Sequence, residues 1–267
     1  MKYSEMKSRG LTTGKKQRIL SQTGDKVFEF TMFEAFRADR VYMASADISE
    51  GVGGDSSVLY VWDVTELSNI RMVAMFSSDK TSLVEFAFVV SKILAVYGNP
   101  WLFAERNGVS AGMLDSLRIT YGYQNIAAES KDNQPGIYCH ITVKEKACIW
   151  AREMFTTDGF GFTLMDKELI EEFGTFVKKD NKGVHVVYAA PRPAHDDHVM
   201  TLVWGCYALS KDIVDKYFNV VEYRTSTLGQ IYPKRLMPLE PYNKQTLDRI
   251  SKDPIYIDFM EFRNDTA

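Results

Sequence analysis

Three acidic positions, far apart in the chain, share a context suited to metal chemistry. Asp47 ends the apolar run VYMASAD, Glu105 ends PWLFAE, and Asp196 and Asp197 stand together in PAHDDHVMTLVWGCYAL. Carboxylates at the tips of buried strands, joined by one at the head of a buried helix, gather the hard oxygen ligands that Mg²⁺ takes. Such groups repel one another when brought within a few ångströms, and a divalent cation removes the conflict. Two Mg²⁺ ions about 3.5–4 Å apart, with Mn²⁺ able to substitute, would suit hydrolysis of a phosphodiester, one activating water and the other stabilising the leaving oxygen.

Each acid also has an ordinary structural use. Asp is common in turns, and Glu105 could pair with Arg106 next door. An Asp ahead of a helix is a favoured N-cap that suits the helix dipole. Capping accounts for one of Asp196 and Asp197 but hardly for both. Neighbours on a helix start point about 100° apart, so one is expected to face the metal while the other caps or orients, with Asp197 the slightly favoured ligand. Asp55, in the loop EGVGGD, is an auxiliary candidate, and His195 is a candidate to orient a carboxylate or relay a proton. His195 and His198 lack a Cys or third His at zinc spacing. The basic segment Lys178, Lys179 and Lys182, together with Arg192, is the candidate phosphate-contacting surface. Trp101, Trp150 and Trp204 lie in apolar surroundings and read as core.

The elements that must position these groups follow from periodicity. Val41 to Ile48 suits a strand buried on both faces, ending in a Gly-rich loop. Ser57 to Val64 and Arg71 to Ser77 follow across short connections, which implies antiparallel pairing. Ser82 and Glu85 have capping-box spacing, and Leu83, Phe86, Ala87, Val90, Ile93, Leu94 and Tyr97 form one helix face, stopped by Gly98-Asn99-Pro100. Trp101 to Glu105 is then a parallel strand after a helical crossover, followed by a helix from Gly108 to Leu117. A short strand near 125–128, helices near 142–156 and 166–173, and a hairpin of 173–177 with 184–189 precede a core helix near 197–210. This order is the plan of an α/β, RNase H-like (RuvC/resolvase-type) fold, a mixed central sheet flanked by helices. Residues 1–35 read as an arm or linker, 36–212 as the nuclease core, and 213–267 as a Pro-containing extension packed on it.

Composition narrows the class. A 45% hydrophobic, 25% charged chain of 267 residues is ordinary for a globular protein, and a net charge of −3 offers nucleic acid no overall pull. Any DNA contact must come from local basic patches. The apolar stretches are too short or interrupted to span a membrane, and MKYSEMKSRG lacks the core of a signal peptide, so a non-secreted protein is expected. Cys139, Cys148 and Cys206 form no CxxC pair. GLTTGKK is not a Walker A loop, because only three residues separate its glycines and Lys15 is followed by Lys16, so no P-loop ATPase is expected. The Gly-rich loop fails GxGxxG at Ser56, so no cofactor-binding residues are assigned.

ADISEGVGGDSSVLYVWDV, FAERNGVSAGMLDSL and AHDDHVMTLVWGCYAL resemble the three nuclease motifs of the large terminase subunit of tailed bacteriophages, over roughly residues 40–210. The resemblance implies an endonuclease that cuts double-stranded DNA concatemers to start and end headful genome packaging. It matches Asp47 to the first-motif Asp, Glu105 to the second-motif acid and the HDD triplet to the third motif. It also implies an ATPase motor in the same polypeptide, with the portal and small terminase subunit as partners, in the host cell cytoplasm. Two other readings predict different behaviour. A resolvase-type nuclease would prefer branched DNA, and a non-catalytic portal or capsid docking module would show no metal-dependent activity.

Overall fold

The two most buried strands dictate the architecture. Strand β3 (Tyr42–Asp47) is buried up to its final residue and β4 (Ser57–Asp63) at every position, which requires cover on both sheet faces. By contrast, β1 (Lys15–Leu20) and β2 (Val27–Met32) bury alternate residues over most of their length. The structure, a computed structural model, describes residues 14–51, 54–129, 132–181, 185–191, 194–225 and 229–266, with backbone alone at 178–181, 185–187 and 264–266.

Strand β5 (Ile70–Ser78) and β6 (Trp101–Ala104) give the main sheet the order β1-β2-β5-β4-β3-β6, with the short segment Phe162–Thr163 paired in parallel alongside β5. Strands β3, β4 and β5 pair antiparallel, and β6 joins β3 in parallel. The crossover is helix α1 (Leu83–Val96), whose capping box is formed: Glu85 N–H donates to Ser82 Oγ (3.4 Å) and Ser82 N–H to Glu85 Oε2 (3.0 Å). Gly98 and Asn99, at φ of 77° and 57°, turn the chain out of it. Helix α2 (Val109–Thr120) follows β6 and packs on α1.

The remaining elements are short strands β7 (Ala128–Glu129) and β8 (Gly136–Ile137), helix α3 (Ile141–Thr156), β9 (Phe162–Thr163) and α4 (Lys167–Phe173). The hairpin β10 (Val177–Asn181) and β11 (His185–Ala189) leads to α5 (Asp197–Ala208) and α6 (Val214–Tyr217). A second hairpin, β12 (Asn219–Thr225) with β13 (Ile231–Met237), precedes α7 (Lys244–Ser251) and α8 (Pro254–Thr266). Among the described residues, no helix is long and apolar enough to cross a membrane.

Strand alternation divides the interior in two. Leu59 and Val61 of β4, Ala44 and Ala46 of β3, and Leu102 and Ala104 of β6 pack with α1 and α2. Val58, Tyr60 and Trp62, with Met43 and Phe103, pack on the opposite face with α3 and α5. Helix α5 lies close on β3 and β4: a Cβ at Gly205 would stand 3.2 Å from both Ser45 Oγ and Trp62 Nε1. Fully buried side chains such as Trp62 and Trp204 make this face a firm seat, each large apolar side chain contributing on the order of 1.5–3 kcal/mol.

Three expectations change. The segment read as an arm through residue 35 contains the β1–β2 hairpin, which extends the main sheet and is tied to α1 by Lys26 Nζ and Glu85 Oε1 (2.8 Å). Its charged outer face hides the inward set Ile19, Phe28 and Phe30 from a simple reading of composition. Residues 1–13 lie outside the described residues. The polar run at 178–181, which falls between the expected hairpin strands 173–177 and 184–189, belongs to the strand β10 paired with β11, while Phe173 ends α4 rather than opening the hairpin. The strand near 125–128 reduces to a single bridge of Ile126 with Leu102 and the two residues of β7. The polar C-terminal stretch is held to the core where Leu236 N–H donates to Thr65 O (3.0 Å) and where Lys15 Nζ meets Asp258 Oδ2 (2.6 Å).

Candidate active site

Register and parity bring the acids together. Ala46 pairs with Ala104 in the parallel β3–β6 ladder, so the residues that follow, Asp47 and Glu105, end neighbouring strands at the same level. Residues two apart share a face. Asp47 therefore follows Met43 and Ser45, and Glu105 follows Phe103, onto the face covered by α5. Asp197 is the first residue of α5 and Asp196 its N-cap position. Four carboxylates from three elements thus lie at one end of the sheet, near enough for Asp197, Glu105 and Asp196 to act on the charge of Asp47.

The electrostatics follow from that crowding. Asp47 is pushed up to about 8, first by removal from water, then by Asp197 and Glu105, with Asp196 adding to the effect. Glu105 is also raised, chiefly by burial, against the opposing Lys144 ammonium and hydrogen bonds from Cys139 and Asn107. Asp197 is raised by burial and by Asp55 and Asp196, against the hydrogen bond its Oδ2 accepts from Ser56 N–H (2.6 Å). A cluster whose members resist ionisation this way is complementary to a divalent cation, and its all-oxygen donor set fits Mg²⁺ or Mn²⁺.

The ordinary uses of these acids are taken by other groups. Arg106 turns from Glu105 to Asp115 (3.3 Å) and the Pro135 carbonyl (2.9 Å). Asp196 makes no side-chain capping hydrogen bond. The segment after β6 is fastened to residues 137–139 instead: Arg106 N–H donates to Ile137 O (2.8 Å), and Asn107 Nδ2 to Cys139 O (2.7 Å). These bonds fix Glu105 against a second chain segment.

Asp55 and His195 form an outer group. His195 Nδ1 lies 3.0 Å from Asp55 Oδ1, and ligand atoms of Asp55, His195 and Asp197 all fall within 4.8 Å of one another. Before Asp55, Gly51, at φ 70°, packs against Thr81, whose carbonyl oxygen would lie 2.2 Å from an added Cβ. Lys144, half-buried on the first turn of α3, is the functional candidate that sequence reasoning missed. No local pattern distinguishes it from Lys146, the other lysine of that helix. Of the expected phosphate-contacting residues, Lys178 and Lys179 lie on β10 with backbone alone described, and Lys182 and Arg192 lie outside the described residues. Trp204 is fully buried and Trp101 packs edge-on against Tyr217 with centroids 4.8 Å apart, as core residues do.

The fold is shared with solved structures. The large terminase nuclease from thermophilic phage G20c with bound magnesium superimposes with a TM-score of 0.58 at 18% identity, covering 77% of this chain and 95% of that one. The chain has the large terminase nuclease fold. The cobalt-bound G20c nuclease gives a TM-score of 0.56 at 20% identity over 67% of this chain and 86% of its own. The large terminase nuclease domain of Thermus phage P74-26 gives 0.50 at 19% identity over 68% and 86%. No family model matches the sequence. The terminase nuclease likeness places the chain in the RNase H-like class expected from its element order.

Proposed function

We propose that this protein is a metal-dependent endonuclease that cuts double-stranded phage DNA during genome packaging. The observation that carries the reading is the convergence of Asp47, Glu105, Asp196 and Asp197 at one sheet end, with Asp47 pushed up to about 8. Magnesium- and cobalt-bound forms of the similar G20c nuclease support a divalent cofactor.

Asp47, Glu105 and Asp197 would hold the ions, Asp47 being close enough to Glu105 and Asp197 to feel the charge of both. When bound, two Mg²⁺ ions supply the charge that activates a water and stabilises the leaving 3′ or 5′ oxygen. Asp196, next to Asp197 at the helix start, would be a further acceptor, and Asp55 with His195, near Asp197, would form a group able to orient a ligand or accept a proton. Lys144 supplies positive charge beside Asp47 and Glu105, offsetting part of their repulsion before ions and phosphate arrive. The β10–β11 hairpin, with Lys178, Lys179 and Lys182, and Arg192 beyond it, would contact the DNA backbone.

In the wider reading, the chain works on DNA concatemers in the host cytoplasm, in headful packaging, beside an ATPase motor, a portal and a small terminase subunit. Residues 36–212 would form the catalytic core and 213–267 an extension packed on it. Incubation of plasmid and linear duplex with Mg²⁺, Mn²⁺ or EDTA tests the central claim. Cleavage of both substrates with either ion and none with EDTA is expected. Inertness under every condition would remove the nuclease reading.

A further inference from the structure

Helix α5 carries two aspartates at its start, yet neither caps it. The first four N–H groups of a helix need outside acceptors, and an N-cap Asp ordinarily supplies one from its side chain. Asp196 makes no such bond, and the Asp197 carboxylate accepts instead from Ser56 N–H, on the loop between β3 and β4. The acceptor comes from another helix: Val199 N–H, in the first turn of α5, donates to Glu172 Oε2 at 3.0 Å. Glu172 lies near the C-terminal end of α4, 27 residues earlier in the chain.

A second tether joins the same two helices. His198 is buried, and its Nδ1 lies 2.5 Å from Asp166 Oδ2, the N-cap carboxylate of α4, and 2.7 Å from Tyr60 OH on β4. On the other side of the ring, Nε2 lies 3.1 Å from Ser77 Oγ on β5. Helix α4 thus grips the first turn of α5 at both of its own ends, through Asp166 and through Glu172.

We propose that Glu172 is a positioning residue for the carboxylate centre: by capping α5 from outside, it leaves Asp196 and Asp197 available to the metal. This rests on the nuclease reading above. Without Glu172 the Val199 amide is left buried and unpaired, and the nearest means of satisfying it is for an aspartate of the same helix to fold back as its cap. Metal affinity then falls although no ligand has been removed. His198 and Asp166 hold the helix in the orientation that makes the exchange of roles possible.

The test compares Glu172→Gln, which keeps an acceptor oxygen, with Glu172→Met, which fills similar space without one. Leu169→Ala, a fully buried position of α4, serves as a control for simple destabilisation. Mn²⁺ binding to the full chain is read by electron paramagnetic resonance, beside thermal unfolding in EDTA. The Met variant is expected to bind Mn²⁺ about tenfold or more weakly, the loss usual for a group that orients a ligand, and the Gln variant close to wild type. Leu169→Ala is expected to lower the unfolding temperature with little change in affinity. Equal affinity for the Met variant and wild type overturns the proposal, as does an equal loss in the Met and Gln variants or in the Leu169 control. A wild-type chain that neither takes up Mn²⁺ nor cuts DNA overturns the nuclease reading and this inference with it. One that binds and cuts while the Met variant matches it overturns this inference alone.

Discussion

The inner and outer polar pairs at the acid-rich end of the sheet are held in opposite ways. Asp47 and Glu105 close two adjacent parallel strands, partly buried, and their surroundings oppose ionisation. Asp55 and His195 are exposed, bonded mainly to each other, and carried by loops. Rigid strands can hold like charges at close range because the backbone cannot relax away, whereas a loop would swing such charges apart. On the proposed function, the inner pair would need a cation and the outer pair would adjust to what arrives.

The largest effect that would sharpen this contrast is on cleavage. Asp47→Ala or Glu105→Ala is expected to lower DNA cleavage by more than about 100-fold, with the circular dichroism spectrum unchanged, since a ligand should cost more than an orienting neighbour. Wild-type-like nicking by either purified variant breaks the assignment. Asp55→Ala and His195→Ala are expected to fall within about 10–100-fold. Losses equal to that of Asp47→Ala would erase the distinction between inner and outer groups.

Stability should report the same contrast with the opposite sign. A carboxyl raised from about 3.9 when unfolded to about 8 when folded binds its proton more tightly in the folded state. In metal-free protein that contribution is fully present below pH 4 and is lost as pH rises through 8, so EDTA-treated protein should weaken between these limits. Asp47→Asn should flatten that dependence and raise the unfolding temperature at pH 8.5, each 1 kcal/mol of relieved repulsion giving about 2–4 °C. An unchanged pH profile would mean that Asp47 is not strained by its neighbours. The smallest effect is expected at Lys144. Lys144→Gln should lower metal-free stability modestly and leave the Mg²⁺-bound protein nearly unchanged, because ions then replace its charge. Equal destabilisation with and without Mg²⁺ would give Lys144 a packing role only.

Much of this arrangement is legible in the linear chain. Apolar runs ending in an acid mark β3 and β6, and the Ser82–Glu85 spacing marks the crossover helix that makes them parallel neighbours. Those signals are local, so neighbouring residues suffice to carry them. The β1–β2 hairpin escapes such a reading because an edge ribbon buries only part of its surface and keeps many charges. The polar strand β10 escapes for a similar reason, its lysines resembling a turn.

The sequence by itself determined which acids could meet, because strand parity and the crossover place Asp47 and Glu105 on one face whatever else the chain does. It left the roles of Asp196 and Asp197 divided between capping and ligation. Tertiary structure shows that neither side chain caps the helix. Glu172 supplies the acceptor at Val199, Ser56 engages Asp197 across 141 residues, and Lys144 comes beside Asp47 from a helix on which no local pattern singles it out. Hydrogen bonds and charges act over a few ångströms of space, and only the packed chain sets which residues lie that close.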